Sequence, residues 1–148
     1  MIAMKKNLLC PCKSQKQYSD CCEPFHLGKA PDTALELMRS RYSAYAMHLA
    51  DYIMQTTHKD NLSYKSPHSE ERRKEILEFS KATDFVGLKI LEFIDGENEA
   101  YVTFTAYLKQ GGKDVSFTEK SYFVRVQNQW LYKEGKISPA TLPLEKGL

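Results

Sequence analysis

Glu99-Ala100-Tyr101-Val102-Thr103-Phe104-Thr105-Ala106-Tyr107-Leu108-Lys109 alternates apolar and polar residues along its length. Successive side chains on a strand point to opposite faces, so a period of two reads as a strand with one buried and one open face. Ala100, Val102, Phe104, Ala106 and Leu108 form the first face; Tyr101, Thr103, Thr105 and Tyr107 form the second. A strand half open on one face and apolar on the other belongs in an antiparallel sheet.

The flanking residues supply its neighbours. Asp95-Gly96 upstream is a hairpin signal, and residues 85–94, with Val86, Leu88, Ile90, Leu91 and Phe93, read as the strand before it. Gly111-Gly112 downstream is a second hairpin signal. Residues 114–126 follow as one long strand, with Val115, Phe117, Glu119, Ser121, Phe123 and Arg125 on one face. Asn128-Gln129 reads as a third turn and Trp130 to Lys136 as a fourth strand, before a tail with Pro139 and Pro143.

The first half has helical spacing. Asp32 or Thr33 after Pro31 can cap a helix whose apolar face is Leu35, Met38, Tyr42, Tyr45 and Leu49. Asp51-Tyr52-Ile53-Met54 continues into a short second helix that fades near Thr57-His58. A polar loop over residues 59–69 holds Pro67; Ser66 or Ser69 then starts a third helix, with Glu70 and Glu71 in its first turn and an end near Lys81. Three helices before a four-stranded antiparallel meander make an α+β fold. Strands this long twist and curl, and helices laid in the concavity enclose a cone that can hold a pocket.

All four cysteines lie outside that body. Cys10, Cys12, Cys21 and Cys22 fall within thirteen residues, and residues 23–31, with two prolines and a glycine, connect them to the rest. Adjacent cysteines make a strained disulfide, and no Cys-x-x-Cys redox pair is present. Residues 1–9 do not read as a signal peptide, since only Leu8-Leu9 are apolar before the cysteines begin. The expectation is a reducing, cytoplasmic setting, where clustered thiols serve metal or redox chemistry more often than disulfides. A structural zinc ion is favoured, with redox sensing as the other thiol chemistry. Lys5, Lys6, Lys13 and Lys16 surround the cysteines; they either are solvated or offset the net negative charge of a metal tetrathiolate.

At 148 residues and 42% hydrophobic, the chain can fill a core, and no apolar run is long enough to span a membrane. A formal charge of +2 gives no field that demands nucleic acid. No phosphate loop, serine triad or carboxylate metal motif appears, so the sequence assigns no catalytic residue.

Cys-x-Cys, eight residues, then Cys-Cys resembles the SEC-C zinc module known from the C-terminus of the SecA translocation ATPase. The resemblance implies that Cys10, Cys12, Cys21 and Cys22 are each a zinc ligand. That module has Gly-Ser-Gly after the second cysteine; here Lys13-Ser14-Gln15 stands instead. Pro24-Phe25-His26, the segment Leu37 to Tyr45, Thr57-His58, and Tyr122 through Tyr132 extend the likeness to the YchJ family of small bacterial proteins. It implies a zinc module and connector over residues 1–30 and a cystatin-like, nuclear-transport-factor-like α+β domain over residues 31–148. No second zinc module is expected, because no cysteine follows Cys22.

Arg39, Tyr42, Tyr45, His58, Glu119 and Trp130 are the candidates for a pocket in the cone. Related folds include isomerases and dehydratases, and a histidine with a carboxylate is an acid–base pair. A satisfied buried network explains the same residues, and fold does not imply function. Arg39 and Arg41 either are solvated, pair with a carboxylate such as Glu119, or bind an anionic group inside the cone. His26 stands close to the cysteines, and hydrogen bonding in the connector suits it better than a fifth place on a filled metal shell. Two functional expectations follow. One is a zinc-binding accessory or adaptor protein that meets a protein partner, related to the translocase or the ribosome, with nucleic acid weakly supported. The other is a small-molecule binding protein or enzyme working in the cone.

Overall fold

The computed structural model describes residues 8–66 and 68–138. Lys5, Lys6, Pro67, Pro139 and Pro143 lie outside the described residues. Among the described residues, four α-helices precede five strands: α1 (Glu23–His26), α2 (Ala34–Ala46), α3 (Ala50–Gln55), α4 (Glu70–Ala82), β1 (Asp84–Ile94), β2 (Glu99–Gln110), β3 (Lys113–Asp114), β4 (Phe117–Val126) and β5 (Gln129–Ile137). The sheet is antiparallel in the order β1-β2-β4-β5, with β3 paired to β2.

The alternation read from residues 99–109 holds through the sheet. Ala100, Val102, Phe104, Ala106 and Leu108 are buried, as are Phe117, Glu119, Ser121 and Phe123 on β4. The opposite face keeps Tyr101 stacked on Tyr122, with ring centroids 5.0 Å apart and the Lys120 ammonium 4.9 Å from the Tyr101 ring. Register shifts on β1 between Phe85 and Gly87 and between Ile90 and Glu92 insert bulges. Bulges increase local twist, which curls the sheet around the helices.

Residues 114–126 are not one strand. Asp114 Oδ1 accepts from the Ser116 N–H at 2.9 Å, and Ser116 Oγ accepts from the Leu108 N–H at 2.9 Å. The serine side chain takes the place of a backbone acceptor, so the ladder breaks between β3 and β4. Arg125, at the end of that face, is exposed, with its guanidinium 5.9 Å from the ring centroid of the buried Trp130. The third turn falls one residue early. Gln127 and Asn128 have φ of 51° and 65°. That is the left-handed pair a two-residue hairpin requires.

Helix α2 forms the center of the domain. Thr33 and Glu36 build a capping box: Thr33 Oγ1 accepts from the Glu36 N–H at 3.1 Å, and the Glu36 carboxylate accepts from the Thr33 N–H at 3.3 Å. The helix stops at Ala46 rather than running to Leu49. His48 takes φ of 64°, and the Leu49 N–H turns back to the Ala44 carbonyl at 2.8 Å. Leu49 then stands at the start of α3. Most of α2 is buried: Ala34, Leu37, Met38, Ser40, Arg41, Tyr42, Ser43, Ala44 and Tyr45. Ser69 Oγ caps α4 through the Arg72 N–H at 3.1 Å, with Glu70 and Glu71 in the first turn and Lys81 in the last. No helix among the described residues is long and apolar enough to cross a membrane.

Candidate metal centre and cone network

A short hairpin brings the cysteines together. The Cys10 N–H donates to Lys16 O at 2.8 Å and the Tyr18 N–H to Leu8 O at 2.8 Å. The chain then passes through a 3-10 turn, Tyr18–Asp20, into α1, which Cys22 caps. The expected irregular connector therefore contains one helical turn. Four sulfurs converge within 4.8 Å of one another. Cys12 Sγ is 3.5 Å from Cys21 Sγ, and Cys21 Sγ is 3.9 Å from Cys22 Sγ. A disulfide would need ~2.05 Å. A tetrahedron with metal–sulfur bonds of ~2.3 Å has edges of ~3.8 Å, which these separations bracket. The four thiols thus have the spacing and the donor type that a metal site requires.

The same crowding orders their protons. The Cys10 and Cys22 thiols donate toward Cys12 and hold it far below the ordinary thiol range. Cys10 is pushed up to about 12, chiefly by giving its hydrogen bond to Cys12. Burial of three of the sulfurs leaves Cys21 the partly exposed member. Ser14 Oγ sits 3.1 Å from Cys21 Sγ.

The residues that replace glycine adopt glycine's conformation. Lys13 has φ of 65° and Gln15 φ of 75°. An L-residue in the left-handed region carries a steric cost of about 1–2 kcal/mol. The tight turn between Cys12 and Lys16 is retained at that expense.

Two side chains fasten this module to α2. Arg39 does not enter the cone. Its Nη1 donates to the Cys12 carbonyl at 2.9 Å and lies 3.9 Å from Cys12 Sγ, where its charge opposes that of the thiolates. His26 is not among the clustered ligands. Its Nε2 lies 2.8 Å from the Ser40 carbonyl, which can only accept, so Nε2 carries the proton. Nδ1 then accepts from the Tyr18 hydroxyl at 2.7 Å. Burial holds His26 below its usual value, in the neutral form these bonds need. Its ring also meets Tyr52 edge-on at 4.8 Å.

Inside the cone the expected residues part company. Tyr42 is fully buried and its hydroxyl donates to Gly87 O at 2.8 Å. Trp130 is buried and its Nε1 donates to Asp32 O at 3.2 Å. His58 donates its backbone N–H to Tyr132 O at 2.8 Å, and its Nδ1 accepts from the Asp60 N–H at 3.0 Å. Glu119 is brought into a polar network with residues that spacing did not single out. Its Oε2 accepts from the Tyr132 hydroxyl at 2.9 Å and from the Ser121 hydroxyl. Arg41 is buried with its guanidinium 4.6 Å from the Tyr132 ring centroid, and Nη1 donates to Ile53 O, Thr56 Oγ1 and Thr57 Oγ1. Gly135 crosses above this group; a Cβ there would meet the Glu119 carboxylate and stand 2.6 Å from the Tyr132 hydroxyl. A glycine inside a strand pattern was the available signal of that close approach.

The deep part of the cone is packed: the space between Met38, Arg41, Phe104 and Phe123 amounts to ≈ 10 Å³. A larger cleft of ≈ 620 Å³ opens at one end, where Arg41, Tyr45 and Tyr132 meet the loop that carries Asn61 and the side of α4. Of the expected pocket residues, Tyr45 is the one that lines it.

Comparison with known proteins agrees with both parts. Residues 7–24 match the SEC-C motif, and residues 33–135 match the family described as YchJ, middle NTF2-like domain. A UPF0225 protein of Vibrio vulnificus strain YJ016 is 40% identical over 129 residues, covering 85% of this chain and 73% of that one. A UPF0225 protein of Serratia proteamaculans is 38% identical over 132 residues, covering 86% and 82%. Among solved structures, a SEC-C motif containing protein from Rhodopseudomonas palustris superposes with a TM-score of 0.71 at 31% identity, covering 87% of this chain and 98% of that one. A second, from Psychrobacter arcticus, gives a TM-score of 0.72 at 27% identity, covering 91% and 85%. With four thiols gathered at one end and an NTF2-like cone behind them, the chain belongs to the UPF0225 family, SEC-C motif proteins with the YchJ middle domain.

Proposed function

We propose that this protein is a zinc-dependent accessory protein whose N-terminal module docks onto a protein partner. The observation that carries the reading is the thiol cluster itself: four sulfurs at tetrahedral spacing in a segment too short to bury a core. Zinc suits four thiolates and a closed structural shell. It would supply fold to the module, and no chemistry, since all four positions are protein ligands. The surface around it supports docking. Leu8, Leu9 and Leu27 are exposed on the module, and so are Lys13, Lys16 and Lys29. Exposed leucines are unusual on so small a unit and mark interaction surfaces when they group.

Two measurements test this. Metal analysis of purified protein is expected to find one zinc per chain, lost in Cys12→Ser and Cys21→Ser. Capture from a cell extract is then compared between the zinc-loaded chain and Leu9→Asp or Leu27→Asp. The substituted chains are expected to keep zinc and lose the partner. Equal recovery by all three, or recovery that survives chelation unchanged, counts against the docking role.

A further inference from the structure

The thiol cluster is open to solvent at one sulfur. Cys10, Cys12 and Cys22 are each 3% exposed or less, whereas Cys21 is half-buried. The thiolate is the reactive form of cysteine, and metal ligands are held as thiolates. Access then decides which sulfur an incoming reagent meets, and that sulfur is Cys21.

Cys21 has two close sulfur neighbours. Cys22 Sγ lies 3.9 Å away and Cys12 Sγ 3.5 Å away. Cys22 is the adjacent residue, and a bridge between adjacent cysteines strains the peptide that joins them. Cys12 stands nine positions away in sequence and has only ~1.5 Å to close to reach disulfide length. Cys12 is itself closed to attack: it is fully buried, and Arg39 Nη1 stands 3.9 Å from its sulfur. One sulfur is accessible, and a second is sheltered yet within reach of it. An attacking thiol and its resolving partner have this arrangement.

We infer, given the zinc shell proposed above, that Cys21 is an oxidation site for small peroxides, that Cys12 resolves it, and that the resulting disulfide releases the metal. The chemistry belongs to the sulfurs. The Cys21 thiolate attacks one oxygen of hydrogen peroxide; the O–O bond breaks, an S–O bond forms, and hydroxide leaves. The Cys12 thiolate then attacks the Cys21 sulfur; the S–O bond breaks, the S–S bond forms, and a second hydroxide leaves. The two sulfurs lose two electrons, and the peroxide, with two protons from solvent, becomes two waters. Cys10 and Cys22 remain as half a shell, which does not close a tetrahedral site. The new bond spans the hairpin that the Cys10 and Tyr18 N–H groups already hold, so a dithiol reductant that restores both thiolates restores the site.

The full-length zinc-loaded chain is treated with one equivalent of hydrogen peroxide, and a colorimetric chelator reads the zinc set free. Trypsin cleaves after Lys13, Lys16 and Lys29 and so places Cys12 and Cys21 on separate peptides. The expected result is zinc released in step with a cross-link between residues 7–13 and 17–29, assigned by fragmentation to Cys12 and Cys21. Dimedone, which traps a sulfenic acid, is expected to cap Cys21 and suppress the cross-link. Cys21→His keeps a four-ligand shell of three cysteines and one histidine and removes the open thiol. It is expected to release zinc at least about tenfold more slowly under the same peroxide. Where Cys21→His does not hold zinc, the peptide map of the unaltered chain decides. Zinc release without the Cys12–Cys21 link, dimedone on Cys10, Cys12 or Cys22, zinc retained while Cys21 is oxidised, or release from Cys21→His at the wild-type rate each overturn the inference and leave the zinc site standing. A chain that holds no zinc before the peroxide is added overturns both.

Discussion

The Arg39 guanidinium donates to the carbonyl oxygen of Cys12 at 2.9 Å, across 27 positions of sequence, and so ties the metal module to helix α2. A hydrogen bond from a charged donor contributes ~1.5–3 kcal/mol. Arg39→Met keeps the aliphatic stem and removes the donor. It is expected to cost about 1–2 kcal/mol and to speed removal of the metal by a chelator. A thermal melt and a chelator time course check both; unchanged kinetics would remove Arg39 from the account of the metal site.

Removing one thiol has a confined effect. Cys12→Ser is expected to lose the metal and to expose backbone amides of residues 8–22 to fast hydrogen exchange. The β2 amides of Val102, Phe104 and Ala106 are expected to stay protected, because they belong to a separate buried cluster. Exchange that rises equally in both regions would show that the module and the cone fold as one unit.

The turn in the module offers a stabilising change. Lys13 and Gln15 both have positive φ. Glycine has no Cβ to clash there. Lys13→Gly and Gln15→Gly are each expected to raise stability by about 0.5–1 kcal/mol, after the extra freedom glycine gains in the unfolded chain. Chemical denaturation of the metal-loaded protein measures this, and a loss of stability in both would mean the turn is held by other contacts.

His26 sets a pH response. Burial keeps it below its ordinary value of 6.5, so the unfolded chain binds the proton more readily than the folded one. The stability it contributes is therefore complete above the unfolded value near 6.5 and is lost as pH falls from there through the lower folded value. His26→Gln can still donate to Ser40 and accept from Tyr18 but does not titrate. The difference in Tm between wild type and His26→Gln is expected to move against wild type below about pH 6.5. A constant difference across that range would mean the imidazole stays neutral for another reason.

Gly135 is required by what lies beneath it. Gly135→Ala is expected to cost roughly 2–4 kcal/mol, since the Glu119 carboxylate and the Tyr132 hydroxyl must both shift. Gly87→Ala, whose Cβ would meet the partly exposed side chain of Tyr107 at 3.2 Å, is expected to cost under about 1 kcal/mol. Equal costs would show that the network yields easily.

The sheet was legible because one face meets the core and the other meets water, so the period of two survives in Ala100 to Leu108. The capping residues Thr33 and Ser69 were legible for a similar reason: each bonds locally, within three residues. The break at Val115-Ser116 was not, because a serine that substitutes for backbone pairing keeps the strand alternation intact. Helix α2 hid its tertiary roles more deeply. It is buried on most sides, so its sequence shows little contrast between faces. Arg39 and Arg41 look equivalent on paper. Positions two apart on a helix lie on different faces, and one arginine meets the thiols while the other meets Tyr132. Spacing gathered the four cysteines of the cluster, but it could not say which arginine belonged beside the thiols and which beside Tyr132.

The two-sided burial of α2 also restricts how the chain can vary in length. With 3.6 residues per turn, one inserted or deleted position rotates all that follows by ~100°. An insertion between Arg39 and Arg41 would leave the first at the thiols and swing the second away from the cone. The whole of α2 up to Ala46 therefore acts as a fixed ruler between module and cone, and changes in length must fall in the loops on either side of it.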